Sequence, residues 1–161
     1  LMYRTGLSVA AVVVVVDQLT KLWILGTIDA GTGVAATAFF NIVLMFNTGI
    51  SFSLFQSPTW GRWVFSIIAL AVVVGLAIWL RRAQTRWLTI ALGGVIGGAV
   101  GNTVDRIVHG GVVDFLDFHV AGYHWPAFNV ADSAIVVGVV MILVEGLVFR
   151  PNAAVDGDDH S

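Results

Sequence analysis

Two aspartates in apolar surroundings are the side chains of this sequence best suited to catalysis. Asp114 stands in the segment VVDF and Asp132 in the segment NVAD, and neither has a cation beside it in the sequence. Two carboxylates brought together at low dielectric constant cannot both ionise easily, so such a pair shares one proton. The pair then offers a general base for a water molecule and a general acid for a carbonyl oxygen or a leaving amine.

A structural role for the same two aspartates stays open at this stage. Asp132 stands where it could cap the last apolar helix, and Asp114 could face water, because perturbed carboxylates also occur in structural networks. Other polar side chains lie at the edges of the same apolar segments, where ionisable groups are costly and so become functional candidates. These are Asn102, Asp105, Arg106 and Asn129.

Asp17 and Lys21 form a second candidate pair, inside the first apolar run. Their four-residue spacing puts them on one helix face, with the acid before the base as an ion pair prefers. A lone charge in a membrane span costs about 2.5–3.5 kcal/mol on insertion scales, so pairing is favoured. A structural pair and a site-shaping role both remain open. For Asp105 we expect an interfacial salt-bridge anchor, and for Arg106 a role in organising carboxylates or a substrate carbonyl.

Composition places these residues in an integral membrane protein. The chain is 58% hydrophobic and 11% charged, with a mean hydropathy of +0.91, far from the values of a soluble domain. A net charge of -2 without a basic cluster gives no nucleic-acid footprint. The absence of cysteine excludes disulfides and thiolate chemistry.

Four apolar runs predict a mainly α membrane protein of four transmembrane helices in one domain, residues 1–150. Charges at positions 17 and 21 argue against a cleaved signal peptide, so the first run is expected to be a retained span. The third run has glycines at four-residue spacing, which suits a helix at the centre of the bundle. The spans are predicted at about 6–25, 63–80, 87–104 and 130–149, and a polar, disordered cytoplasmic tail at 151–161.

The positive charges predict the orientation. Five arginines fall on one side of a four-span topology, and by the positive-inside rule that side is the cytoplasm. Both termini are then cytoplasmic, and the candidate residues lie near the outer membrane surface. The outer segment 26–60 predicts a small β-hairpin or sheet on that surface, with strands at 38–46 and 50–55 and a turn at Asn47-Thr48-Gly49. A plain connecting loop is the alternative. The arginines are Arg4, Arg81, Arg82, Arg86 and Arg150.

Five sequence blocks occur in a recognisable order. They are DQLTK from Asp17, NTGISF from Asn47, GGAVGNTVDR from Gly97, VVDF from Val112 and FNVADS from Phe128. In kind and order these blocks resemble the bacterial lipoprotein signal peptidases, also called signal peptidase II. The resemblance extends from residue 17 to residue 133.

This resemblance implies a four-helix intramembrane aspartic peptidase that cuts prolipoproteins before a diacylglyceryl-modified cysteine, without a metal, a cofactor or a covalent intermediate. Asp114 and Asp132 match the catalytic pair of the family. It further implies a monomer in the bacterial cytoplasmic (inner) membrane, with lipid and lipidated signal peptides as its partners. The polar residues around the pair match Asn47, Asn102, Arg106 and Asn129, and the first-span motif matches Asp17 and Lys21.

Other function classes remain in view. An ion-coupled transporter also uses intramembrane aspartates, but four spans leave little room for inverted repeats. A metallopeptidase would depend on three outer histidines without an HExxH motif, and a Ser–Lys peptidase would need a neutral Lys21 beside Asp17. A non-catalytic lipid-binding bundle explains the apolar scaffold but not the two unpaired aspartates. The histidines are His109, His119 and His124.

Overall fold

Four long helices dominate the computed structural model, which describes residues 2–49 and 58–148, without the side chains of residues 58–60. Each helix holds a stretch long and apolar enough to cross a membrane. The predicted spans fall within these helices, except that residue 149 lies outside the described part. The helices are α1 (Met2–Thr27), α2 (Pro58–Arg81), α3 (Arg86–His109) and α4 (Val130–Val148).

Helix α3 lies at the centre of the bundle, as its glycines predicted. Of its apolar stretch, 72% is buried inside the protein, against 22% or less for the other three helices. The helix starts at the N-cap Thr85, whose hydroxyl accepts a hydrogen bond of 3.1 Å from the Leu88 amide. The residue after the helix, Gly110, is the C-cap, and its φ of 81° lies in the left-handed region that favours glycine. The helix is longer than the predicted span and includes Asp105 and Arg106.

The glycines of α3 let two other helices approach it backbone to backbone. A Cβ atom on Gly97 would stand 2.7 Å from the carbonyl oxygen of Ala10 in α1, and one on Gly98 would overlap the carbonyl oxygen of Ala131 in α4. A Cβ atom on Gly101 would stand 2.6 Å from Oδ2 of Asp17. Small residues therefore bring the polar side chains of α1 and α4 against α3.

A four-stranded antiparallel sheet covers one end of the bundle. Its order is β1-β2-β3-β4, and its strands are β1 (Gly33–Ala35), β2 (Phe40–Asn47), β3 (Val112–Val120) and β4 (Tyr123–His124). An irregularity between Ile42 and Met45 brings Met45 opposite Asp114. A buried cluster packs the sheet against the end of α1. The cluster consists of Ile24, Leu44, Val113 and Phe115.

The predicted small sheet is confirmed, and its described strands pair across the sequence. The first predicted strand exists as β2, but its partners are β1 and β3; the second, at 50–55, lies outside the described residues, as does the tail 151–161. The segment around Asp114, which lies between the third and fourth predicted spans, is the nine-residue strand β3. Asp114 and Asp117 interrupt its apolar run, and both are buried, so the run did not show the alternation typical of a strand.

Replacing Gly98 with alanine tests the close packing of α3 on α4. We expect the free energy of unfolding to fall by about 1–3 kcal/mol, because the new methyl group would overlap the Ala131 carbonyl and force the helices apart. Unfolding titrations in mixed detergent micelles measure this change.

Gly75→Ala is the matched control, because a Cβ atom at Gly75 in α2 meets nothing within 4 Å. Its effect should stay within about 0.5 kcal/mol. Equal losses of stability in the two variants would contradict close packing at Gly98.

Candidate active site

Asp114 and Asp132, 18 residues apart in the sequence, are joined in space by two asparagine amides. Asn129 Nδ2 donates to Asp114 Oδ1 over 2.8 Å, and Asn102 Nδ2 donates to Asp132 Oδ1 over 2.7 Å. Asn129 Nδ2 also lies 3.2 Å from Asn102 Oδ1. Strand β3, helix α3 and the start of α4 thus place two carboxylates around one connected set of amide donors.

Asp132 also caps α4, so the structural role considered from the sequence is present. Its Oδ2 accepts a hydrogen bond from the Asn129 amide over 3.3 Å, while Asn129 Oδ1 accepts one from the Asp132 amide over 2.9 Å. This reciprocal pair is a capping box. Because the cap uses Oδ2, the other oxygen of Asp132 is left to Asn102. The two roles therefore coexist in one side chain.

Asp114 is 3% exposed and has a hydrogen-bond donor on each carboxylate oxygen. Asn47 Nδ2 donates to Oδ2 over 3.0 Å, opposite the bond from Asn129 to Oδ1. Burial raises the pKa of Asp114 to about 6; the hydrogen bond from Asn47 opposes this shift and the negative charge of Asp132 adds to it. A carboxyl group with this pKa can hold a proton under mildly acidic conditions and exchange it near neutrality.

A cavity of about 290 Å³ opens beside Asp114. Apolar side chains form part of its wall, and polar groups from the end of β2 form the rest. Asp114 on β3 also forms part of the cavity wall. The cavity lining consists of Met45, Phe46, Asn47, Thr48, Asp114, Pro126 and Ala127.

A buried ion cluster lies behind the two aspartates. Lys21 Nζ is 2.8 Å from Asp17 Oδ2 and 2.7 Å from Asp105 Oδ2, and all three side chains are 2% exposed or less. The predicted pair of Asp17 and Lys21 is confirmed, and Asp105 forms the expected salt bridge, although it is buried and its partner is Lys21. The sequence held a signal for this, because the spacing of three residues places Asp105 on the same helix face as Asn102.

Gln18 is a member of this ion cluster that the sequence reasoning missed. Its Nε2 donates to Asp105 Oδ1 over 2.9 Å and lies 3.2 Å from Asp17 Oδ2. Gln18 stands next to Asp17 in the sequence, and no pattern in the sequence predicted that its side chain would bind Asp105. Gln18 therefore links two carboxylates that would otherwise repel each other.

Arg106 lies at the edge of the site. Its Nη1 donates to the Asn102 carbonyl oxygen over 3.3 Å, and its guanidinium stands 5.9 Å from the Phe65 ring. Within the described residues Arg106 has no ion pair to a carboxylate, and its buried Nε has no hydrogen-bond partner there. The expected role in organising carboxylates thus remains a prediction.

The three histidines considered as metal ligands make contacts with groups other than the two aspartates. His119 and His124 stack with ring centroids 4.9 Å apart on the sheet, and His124 Nδ1 is 2.9 Å from both oxygens of Asp117. His109 ends α3 and contacts Phe46. In the part of the chain described here, no three histidine, aspartate or glutamate side chains are arranged to hold a metal ion.

Comparison with known proteins assigns this chain to a family. The family model described as Signal peptidase (SPase) II matches residues 9–148, a range that contains both aspartates, both asparagines and the ion cluster. The chain belongs to the signal peptidase II family. It is therefore a peptidase of a bacterial membrane.

Relatives of this family match along most of their length. The chain is 48% identical over 158 residues to a lipoprotein signal peptidase of Nitrobacter hamburgensis, covering 93% of this chain and 96% of the relative. It is 43% identical over 143 residues to one of Burkholderia ambifaria, with 88% and 86% covered. A bacterial membrane enzyme solved by the in meso method at 1.9 Å superposes with a TM-score of 0.81 at 30% identity, covering 91% of this chain and 94% of that one.

Replacing Asn47 with alanine tests the electrostatics of Asp114. The hydrogen bond from Asn47 lowers the pKa of Asp114, so its loss should raise that pKa further above about 6. NMR titration of the aspartate carboxyl carbons measures the shift.

Asn41→Ala provides the comparison on the same strand, because Asn41 donates to Asp117 over 2.8 Å instead. This variant should leave the pKa of Asp114 unchanged. An unchanged or lower pKa of Asp114 in Asn47→Ala would contradict the assignment.

Proposed function

We propose that this protein is an intramembrane aspartic endopeptidase that removes signal peptides from prolipoproteins, cutting before a diacylglyceryl-modified cysteine. The observation that carries the proposal is the pair of aspartates held by connected amide donors, with one of them beside an open cavity. The names of the relatives, lipoprotein signal peptidase, support the choice of substrate.

In the proposed reaction a water molecule attacks the scissile carbonyl carbon between the two carboxyl groups. As the water oxygen bonds to the carbonyl carbon, Asp132 takes one proton from the water. Protonated Asp114 gives its proton to the carbonyl oxygen. A neutral gem-diol results, and no covalent bond to the protein is needed. Both groups act by positioned proton transfer, which contributes roughly 10²–10⁴-fold to rates.

Collapse of the gem-diol completes the cycle. Asp132 returns its proton to the peptide nitrogen as the C–N bond breaks, and Asp114 takes a proton from one hydroxyl group. The products are a new carboxyl group and a free amine, and the pair again holds one proton. The amides of Asn102 and Asn129 keep the carboxyl groups in place through these exchanges.

The proposed position of the cut is near the outer leaflet. Arg4 near the start of α1, Arg81 at the end of α2 and Arg86 at the start of α3 put that end of the bundle in the cytoplasm by the positive-inside rule. The aspartates lie at the opposite end, where a lipidated cysteine anchored by two acyl chains would stand. One chain carries both carboxylates, so a monomer in the inner membrane suffices for the reaction.

Asparagine variants of the two aspartates test the proposal. Asp114→Asn and Asp132→Asn should each abolish cleavage of a synthetic lipidated prolipoprotein peptide, because either change removes one partner of proton transfer. Cleavage is followed by mass spectrometry with purified protein in detergent, on peptides with lipidated and unlipidated cysteine. Only the lipidated peptide should be cut.

Asp117→Asn is the matched control, since Asp117 lies on the same strand but pairs with His124. It should retain cleavage. Normal turnover by Asp114→Asn or Asp132→Asn would rule out the pair as the catalytic groups, and equal cleavage of both peptides would rule out the lipid requirement.

The pH dependence of kcat/KM gives an independent test. Because the pKa of Asp114 is raised to about 6, the proton that serves as general acid is present below that pH and is lost above it. The value of kcat/KM should therefore fall as pH rises through about 6, since this ratio reports the free enzyme. A profile that stays flat from about pH 5 to 8 would contradict a proton held on Asp114.

A further inference from the structure

The Lys21 ammonium uses all of its hydrogen-bonding capacity inside the protein. Its three N–H groups face three buried acceptors: Asp17 Oδ2 at 2.8 Å, Asp105 Oδ2 at 2.7 Å and Asn102 Oδ1 at 3.1 Å. An ammonium group donates and never accepts. The atom of Asn102 that faces Lys21 must therefore be its carbonyl oxygen.

This contact fixes which way the Asn102 amide points. With Oδ1 towards Lys21, Nδ2 is directed at Asp132 Oδ1, 2.7 Å away. The same Oδ1 receives Asn129 Nδ2 at 3.2 Å, which leaves Asn129 Oδ1 to accept from the Asp132 amide. A donor-only cation at one end and the Asp132 backbone amide at the other thus fix the direction of the two side-chain amides, each of which donates to a carboxylate.

We propose that Lys21 is a positioning residue for the hydrolysis, acting through the direction it imposes on the Asn102 amide. This inference rests on the proposed function of the two aspartates. Without the cation, Asn102 Oδ1 keeps only the 3.2 Å contact with Asn129 Nδ2, and the Asn102 amide can turn to present its oxygen to Asp132. Two facing acceptors repel each other unless the carboxylate is protonated, and a protonated Asp132 cannot take a proton from water.

Every element packed around Asp132 contributes a charged or titratable group to this balance. Helix α1 supplies Asp17 and Lys21, helix α3 supplies Asp105 and Arg106, and strand β3 supplies Asp114. Removal of Lys21 alone would leave two buried carboxylates unpaired and would destabilise the protein. A useful variant must therefore remove one negative charge together with the positive one.

The double variant Lys21→Met with Asp105→Asn meets this requirement. Relative to wild type, we expect kcat on a lipidated prolipoprotein peptide to fall at least about tenfold with KM within about twofold, because the cavity is untouched. Thermal melting and circular dichroism verify the fold.

Three further variants separate positioning from charge balance. Asp105→Asn alone keeps the cation on Asn102 and should lower kcat less than the double variant does. Lys21→Arg keeps a donor-only cation and should also lower kcat less than the double variant does. Arg82→Met removes an exposed cation at the other end of the bundle and should leave activity unchanged. A folded double variant with the wild-type kcat would overturn the proposal.

NMR of the Asn102 side-chain amide provides a readout that needs no catalysis. In the wild type its protons should be shifted downfield by contact with Asp132, and in the double variant they should move upfield. Absence of the downfield shift in the wild type would overturn the proposal even if no variant folded. If the amide behaves as expected but no peptide is cut, the proposed function fails and the positioning geometry stands.

Discussion

A single buried ammonium between two carboxylates connects the parts of this protein that form the site. Lys21 lies within 2.8 Å of Asp17 and of Asp105. Asp17 also accepts from the Ala131 amide at the start of α4, over 2.9 Å, and Asp105 from the Val113 amide at the start of β3, over 3.0 Å. Because breaking a buried charge pair costs about 3–5 kcal/mol, these contacts hold two helices and a strand in fixed positions relative to α1.

The ion cluster can form only because α3 offers space for it. Gly101 leaves room for the Asp17 carboxylate, and Gly97 and Gly98 allow α1 and α4 to approach. In the hydrocarbon region the charges could not be left unpaired, so close helix packing and charge pairing depend on each other. The side-chain amides of Asn102 and Asn129 then connect the ion cluster to Asp114 and Asp132 by hydrogen bonds. The positions of the two aspartates therefore depend on how closely the helices pack.

Hydropathy and residue spacing in the sequence predicted the four helices. The strand pairing and the partner of Asp105 depend on contacts between residues far apart in the sequence. Hydropathy located the four helices, glycine spacing located the central one, and four-residue spacing paired Asp17 with Lys21. The strand carrying Asp114 was missed because two buried aspartates interrupt its apolar run. Its pairing with β2 links segments some 70 residues apart, which no local pattern encodes. The partner of Asp105 was missed for the same reason, since Lys21 lies on another helix.

The central claim is that one water molecule, held between Asp114 and Asp132, attacks the peptide bond directly. The most direct test is rapid-quench cleavage of a lipidated peptide in ¹⁸O-labelled water, with intact-protein and product mass spectrometry at each time point. We expect ¹⁸O in the new carboxyl group of the signal peptide and a protein mass that never changes. A protein species heavier by the signal peptide, formed and lost at the rate of turnover, would contradict this account.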